Sequence, residues 1–267
     1  MAEIDQISGI WEAILWGVAW VLEKFYLVAQ DWGLAIILFT IVFRLIMMPL
    51  MTSQTKSSVM MQRMQPKIKA IQEKFADDPM RMQQETQKLY ADAKFNPLMG
   101  CIPMLIQMPI FIALFQMLRS IQDWLPKYTD FTFYNIVPNL LMTPSEAFSV
   151  GIMEFIPYLV LVIVFVGATF LPMLLQQRDN TDQQQKNQMY MMSIIMSLMM
   201  LFISWSSPAG VLLFWGVSGI IAVIVQQTYT RYLKNRLQRE EEEAAEFAPV
   251  QVEVERKVKK KRPTKKR

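Results

Sequence analysis

One arginine lies where the chain offers no carboxylate to meet it. Arg44 falls within Leu34–Met51, a run that is apolar except for Arg44 itself and Thr40. A guanidinium is always charged and carries five N–H donors in a planar fork, a shape made for carboxylates and other oxyanions. Counted from Gly33 it is 11 residues into the run, about 16 Å along a helix, near the middle of a bilayer if the run spans one. Placing arginine there costs about 2.5–3.5 kcal/mol on insertion scales. No Asp or Glu occurs within any of the five apolar blocks, and Glu154 only borders the third. Hydroxyls, amides, carbonyls or water must therefore satisfy the charge. Thr40 sits one turn earlier on the same face, and Gln107 can approach from the next block. A polar, water-admitting cavity with an uncompensated cation would attract acidic groups on a passing chain. Snorkelling to a headgroup is a poor alternative at this depth.

Other chemistry is largely excluded. The chain has no His, which removes His-ligated zinc or haem and every Ser-His or Cys-His nucleophile pair. A single cysteine, Cys101, excludes an intramolecular disulfide and a multi-cysteine metal site. The sequence predicts no catalytic residue, no metal, no cofactor and no enzyme.

The elements that hold Arg44 come from an apolar surplus. Hydrophobic residues make up 53% of the 267 and charged ones 19%, against about 45–50% (Gly included) and 25% in soluble domains. The surplus is blocked: Leu34–Met51, Leu98–Leu118, Phe155–Leu175, Met189–Ser206 and Ala209–Val225. Each is close to the roughly 20 residues that cross a hydrocarbon core, and backbone in lipid must be helical or barrel-closed. The predicted fold is all-α and polytopic, a core of five transmembrane helices. The division is 1–31, an N-terminal amphipathic helix; 32–51, the span with Arg44; 52–97, a helical hairpin; 98–118, a span; 119–154, an external segment; 155–175, a span; 176–188, a loop; 189–206 and 209–227, two spans; and 228–267, a charged tail.

Charge sets the orientation. With the N-terminus outside, the inner segments hold 23 Lys and Arg and the outer ones three, as the retention of basic residues in the cytoplasm requires. The net charge of +4 thus describes a polarised molecule. Ile10–Val28 carries Trp11, Trp16 and Trp20 with Glu12, Glu23 and Lys24. These charges favour a helix lying in the interface over a sixth span.

In the hairpin, Met61, Met64, Ile68, Ile71 and Phe75 recur at helical spacing. Met82, Thr86, Leu89 and Ala93 do so after Asp77-Asp78-Pro79, predicting two antiparallel arms with a coiled-coil-like seam. Pro66 is expected to bend the first arm. Met60, Met80 and Met99 fall outside the seam and read as adaptable contacts for varied apolar partners. The tail has an acidic run, Glu240–Glu243, and nine Lys or Arg within Arg256–Arg267. Such blocks are usually disordered. The basic stretch suits either anionic lipid or ribosomal RNA. Pro103 and Pro109 interrupt the second span and Pro172 the third. Gln116 points away from Gln107, and Ser193, Ser197 and Ser204 read as packing hydroxyls. The turn Ser206-Ser207-Pro208-Ala209-Gly210 is expected to pair the last two spans antiparallel.

Four motifs in order resemble the YidC/Oxa/Alb membrane protein insertases: Thr40-Ile41-Val42-Phe43-Arg44 with Pro49-Leu50; Gln65-Pro66-Lys67-Ile68; the sequence from Asn96-Pro97-Leu98-Met99-Gly100 to Gln107-Met108-Pro109-Ile110-Phe111; and Ser207-Pro208-Ala209-Gly210. The resemblance runs from about Trp32 to Tyr232. It implies a five-helix core around a hydrophilic groove, open to cytoplasm and lipid and closed toward the outside. Arg44 would be the groove cation, with Thr40 and Gln107 beside it. Trp215 takes a groove position in Leu213-Phe214-Trp215, where many relatives carry adjacent tyrosines. Partners so implied are nascent membrane proteins and the lipid bilayer, the ribosome through residues 256–267, and a Sec translocon. The implied location is the bacterial plasma membrane. The large outer domain of Gram-negative members and the lipoprotein signal of many Gram-positive ones are not expected. A small anion or solute transporter using Arg44 as its binding charge is the alternative, though neither internal repeats nor paired broken spans accompany it. An intramembrane protease would need paired Asp, a zinc motif or a Ser-His pair.

Overall fold

The computed structural model describes residues 2–96, 102–177 and 183–246. Among these the chain is all-α: α1 (Ala2–Ala29), α2 (Trp32–Lys74), α3 (Pro79–Asp92), α4 (Ile102–Arg119), α5 (Ile121–Trp124), α6 (Pro144–Val150), α7 (Ile152–Gln177), α8 (Gln183–Trp205) and α9 (Ala209–Glu246). An isolated antiparallel bridge joins Phe133 and Val137. The five apolar blocks fall on α2, α4, α7, α8 and α9. Among the described residues α2, α7 and α9 are long and apolar enough to cross a bilayer, and α4 and α8 contribute the apolar stretches Leu105–Arg119 and Tyr190–Trp205. Ile46, Val160, Ile163, Leu198, Phe202 and Ile224 are exposed around the bundle. Apolar surface on that scale needs lipid as its solvent.

Helix α9 is the hub, packed against α2, α7 and α4. Its contact with α7 is close because Gly216 and Gly219 face Val164 and Ala168: a Cβ on Gly219 would meet Ala168 Cβ at 2.5 Å. This changes one expectation. The turn at Ser206–Gly210 does reverse the chain, yet α8 packs on α7 and α6 rather than along α9. The loop between α5 and α6 claims the turn instead, since the Ala209 and Gly210 N–H groups donate to the Met142 and Leu140 carbonyls at 3.0 and 2.8 Å.

That loop also anchors α2. Asp31 caps the helix by accepting from Leu34 N–H at 2.8 Å, and its second oxygen accepts from Tyr134 N–H at 2.7 Å. Tyr134 and Asn135 both have positive φ, 42° and 57°, so this bond holds a turn that would otherwise be strained. Asp31→Ala is expected to lower the thermal midpoint in detergent, read by circular dichroism, removing about 1 kcal/mol for the cap and about as much for the loop bond. Asp31→Asn, which keeps one acceptor oxygen, should lose roughly half of this.

Helix α1 lies across this loop end of the bundle. Trp11 donates to Gln116 near the end of α4 at 2.7 Å, while Tyr26 stacks on Trp32 at the start of α2, ring centroids 4.3 Å apart. Fifteen residues of helix, about 22 Å, thus separate its contact with the end of α4 from its contact with the start of α2. Glu23 pairs with Lys127 and accepts from Tyr128 hydroxyl at 3.3 Å. The Lys127 hydrogen bond holds the Glu23 carboxyl below its ordinary value of 4.5. A lowered carboxyl pKa stabilises the docked helix above that ordinary value, and the contribution is lost as pH falls through the lowered one. Acidification should therefore shift the aromatic fluorescence of the native chain more than that of Glu23→Gln.

The hairpin and the charged tail differ from expectation in three ways. The first hairpin arm is not a separate helix: α2 continues through Pro49 and Pro66 to Lys74. Its partner α3 buries no residue, so the seam is thin, with Tyr90 hydroxyl reaching Met61 sulfur at 4.0 Å. Two helices alone have only one mutual face, and the buried Val59 and Met64 belong to α2. The acidic run Glu240–Glu243, expected to be disordered, is the last stretch of α9. Helix already formed upstream removes the nucleation cost, and Arg236 bonds Glu240 at 2.9 Å across one turn. At the hairpin tip Asp78 caps α3 by accepting from Arg81 N–H at 3.0 Å, and Met80 is exposed. Met99, Cys101 and the basic stretch 256–267 lie outside the described residues.

Candidate functional site

The α2 face that turns inward carries Phe39, Thr40, Phe43 and Arg44, while Ile41, Val42, Leu45 and Ile46 face outward. Phe39 and Phe43 lie against Phe214 of α9, ring centroids 6.1 and 6.3 Å away. This apolar wedge fixes the rotation of α2 and points Arg44 at α9. There its Nε–H donates to Ser218 Oγ at 2.6 Å, and Nη1 approaches Met51 sulfur at 3.7 Å. Among the described residues no carboxylate pairs with it. One hydroxyl and one weak acceptor leave most of its five donors, and all of its charge, uncompensated.

The other three candidates are placed unequally. Thr40 is fully buried and its hydroxyl donates to the Ile36 carbonyl at 2.7 Å, so it is committed to its own helix. Trp215 donates from Nε1 to Thr169 Oγ1 at 3.2 Å and packs against Phe111 and Phe165, centroids 5.2 and 5.8 Å away. Gln107 lies one turn from Phe111 on α4, and its buried Nε2 has no hydrogen-bond partner among the described residues. A path of contacts runs from Arg44 to Ser218, three residues back to Trp215, across to Phe111 and one turn to Gln107. The link from Arg44 to Gln107 is thus indirect, relayed through α9, and the Thr40 hydroxyl is bonded within its own helix. An unpaired buried amide there is unfavourable by about 1–3 kcal/mol unless water or an incoming group bonds it.

Sequence reasoning missed Ser218 and Met51. The signal for Ser218 was present: it is the lone hydroxyl in Ala209–Val225, one turn beyond Trp215. Met51 shares the Arg44 face at a spacing of two turns, but sulfur in a Met-rich chain carries no distinguishing mark.

Packing around this site is one-sided. Toward the loop end, Ile36, Leu114, Met117, Leu118, Leu140 and Leu212 form a dense core. Toward the hairpin end, α4 is less covered: Ile106 is 38% exposed whereas Met117, eleven residues on along the same face, is 0%. Between α2, α7 and α9 on that side lies a cavity of about 40 Å³ whose lining includes Thr55, Ser58, Gln62, Gln226, Gln227 and Thr230. It is polar, uncharged and wide enough for water. Arg44 thus lies in the first third of α2, beyond the dense core of the loop end and on the side from which the hairpin extends.

A profile of the 60Kd inner membrane protein family matches residues 24–237, which include every part of this site. The chain belongs to that family, the family of YidC. Among similar members, the membrane protein insertase YidC of Mannheimia succiniciproducens is 37% identical over 217 residues, 81% of this chain and 36% of the relative. That of Leptospira interrogans is 34% identical over 226 residues, 82% of this chain and 34% of the relative. A crystal structure of an active YidC insertase with its first transmembrane domain resolved aligns with a TM-score of 0.57 and 27% identity. It covers 80% of this chain and 46% of that one. The chain thus spans about a third of the length of the curated relatives it matches. Membership in an inner-membrane family, with the apolar belt, makes this a bacterial membrane protein.

Proposed function

We propose that the chain inserts nascent hydrophobic segments into the lipid bilayer, using the Arg44 neighbourhood as the floor of a hydrophilic groove. The observation that carries this reading is an inward-facing guanidinium held by a hydroxyl instead of a carboxylate, in a bundle packed tightly on one side of it only. An incoming acidic or polar flank is drawn to the charge and exchanges bulk water for water, Ser218 and Gln107. The apolar segment then moves sideways into lipid, driven by hydrophobic transfer. No nucleotide, metal or covalent step is required.

The topology that suits this has five spans, the N-terminus outside and the C-terminus in the cytoplasm, with α1 in the outer interface. The hairpin meets clients first, through exposed methionines such as Met80. The stretch 256–267 is positively charged enough to engage ribosomal phosphates, and a Sec translocon is a further candidate neighbour.

Photocrosslinking tests the reading. Probes at Gln107, Trp215 and Ser218 are expected to capture a stalled nascent membrane protein, whereas a probe at the fully buried Thr40 should stay silent. Silence at all three positions, together with solute flux in liposomes, would replace the insertase reading with a transporter.

A further inference from the structure

Where α2 leaves its apolar block, a second cavity of about 270 Å³ opens at the base of the hairpin, with Ser53, Lys56, Ser57, Met60, Lys94 and Phe95 in its lining. Its chemistry has one sign: two ammonium groups and two hydroxyls line it, and no carboxylate does. Among the described residues neither lysine is in an ion pair. Lys94 holds an unusual backbone position. It closes α3 at φ 47°, its N–H bonding the Ala91 carbonyl and that of Phe95 the Tyr90 carbonyl. Glycine takes this left-handed cap freely and lysine does not. A strained residue whose side chain lines a cavity points to a use for that side chain.

The level of the cavity narrows the ligand. Lys56 follows Met51, the end of the apolar block, by five residues, about 7 Å of helix, which puts the opening at the boundary between hydrocarbon and water. Half-buried Met60 and Phe95 add an apolar wall. A soluble anion has no need of such a wall, whereas a phosphodiester carrying a glycerol backbone does.

We propose that this cavity holds the phosphate of an anionic phospholipid headgroup. Lys56 and Lys94 supply the charge, Ser53 and Ser57 the hydrogen bonds, and Met60 and Phe95 the contact to glycerol. The bound lipid ties the foot of the hairpin to the membrane surface. This site stands apart from Arg44 and does not depend on insertion activity.

The full chain is reconstituted in phosphatidylcholine nanodiscs with or without phosphatidylglycerol. Amine acetylation is followed residue by residue by mass spectrometry, with the exposed Lys88 as internal reference. Phosphatidylglycerol is expected to slow labelling of Lys56 and Lys94, and millimolar inorganic phosphate in phosphatidylcholine is not. Phosphatidylglycerol affinity should fall about fivefold in Lys56→Gln or Lys94→Gly and roughly thirtyfold in the pair. Lys94→Gly relieves the backbone, so its melting temperature should hold or rise while lipid is lost, separating binding from folding. Three results would overturn the proposal: labelling indifferent to phosphatidylglycerol, equal protection by inorganic phosphate alone, or unchanged lipid affinity in the double variant.

Discussion

Arg44→Ala should cut insertion of clients with acidic outer tails at least tenfold, while clients with neutral tails lose much less. The size follows from the charge and its surroundings. A carboxylate 4 Å from the guanidinium gains about 1 kcal/mol in bulk water and about 4 kcal/mol at an effective dielectric of 20. A wet groove in a membrane lies between these limits. Arg44→Lys keeps the charge but not the Nε–H that reaches Ser218, so it should rescue acidic clients in part. Ser218→Ala leaves the charge in place and should cost less than either. Arg44→Leu separates function from fold: removing a cation with no anionic partner among the described residues should raise thermal stability, by up to about 2–3 kcal/mol, while insertion of acidic clients fails. Protease-protection assays in proteoliposomes with matched acidic and neutral clients supply the readout. Equal losses for both client types would show that Arg44 acts through structure instead of charge.

The second large effect is expected at Gly219, which no client need touch. A methyl there would lie 2.5 Å from Ala168 Cβ and 3.1 Å from the Ala168 carbonyl oxygen. The carbonyl belongs to helix backbone and cannot rotate aside, so α7 and α9 must separate. Gly219→Ala should destabilise by about 1–3 kcal/mol, and Gly219→Val by more. Adding Ala168→Gly removes the nearer obstacle and should recover a substantial part of the loss, a coupling that a double-mutant cycle in detergent melts would measure. Because α9 carries Trp215 and Ser218, Gly219→Ala should also weaken crosslinking from both. If the double variant is no more stable than Gly219→Ala, the backbone contact dominates.

Much of this was readable from the residues. Arg44 declared itself by being charged within an apolar block, and the absence of Asp and Glu from all five blocks already pointed to a site without a carboxylate. The helical character of the five blocks follows as directly from the need to satisfy backbone groups in lipid. What escaped was pairwise. Thr40 and Ser218 are both small hydroxyls within reach of Arg44 in principle. Which of them bonds it depends on how Phe39, Phe43 and Phe214 set the rotation of α2 against α9. No periodicity records that choice, and Thr40 has an acceptor waiting in its own helix. The placement of α8 failed for a similar reason: a tight turn dictates a reversal of direction, while the neighbour is chosen by the glycines that let α7 approach α9. A charge run such as Glu240–Glu243 carries no local mark of the helix that feeds it, and so the end of α9 is not legible from the run itself.

The unbroken α2 has a mechanical meaning. From Trp32 to Lys74 it is a rod of about 64 Å, with Arg44 about 18 Å from one end and about 45 Å from the other. The Asp31 clasp pins the short end. A weight hung on the hairpin tip therefore works the arginine through a long handle and a fixed pivot: a sideways swing of the tip reaches Arg44 reduced by a factor of about three or four. Pro49, five residues past the arginine and without an N–H to stiffen that turn, is where such a handle would flex first. On the proposed function, traction at the tip would reach the charge only as far as that proline turn stays stiff, geared down by the length of a single helix.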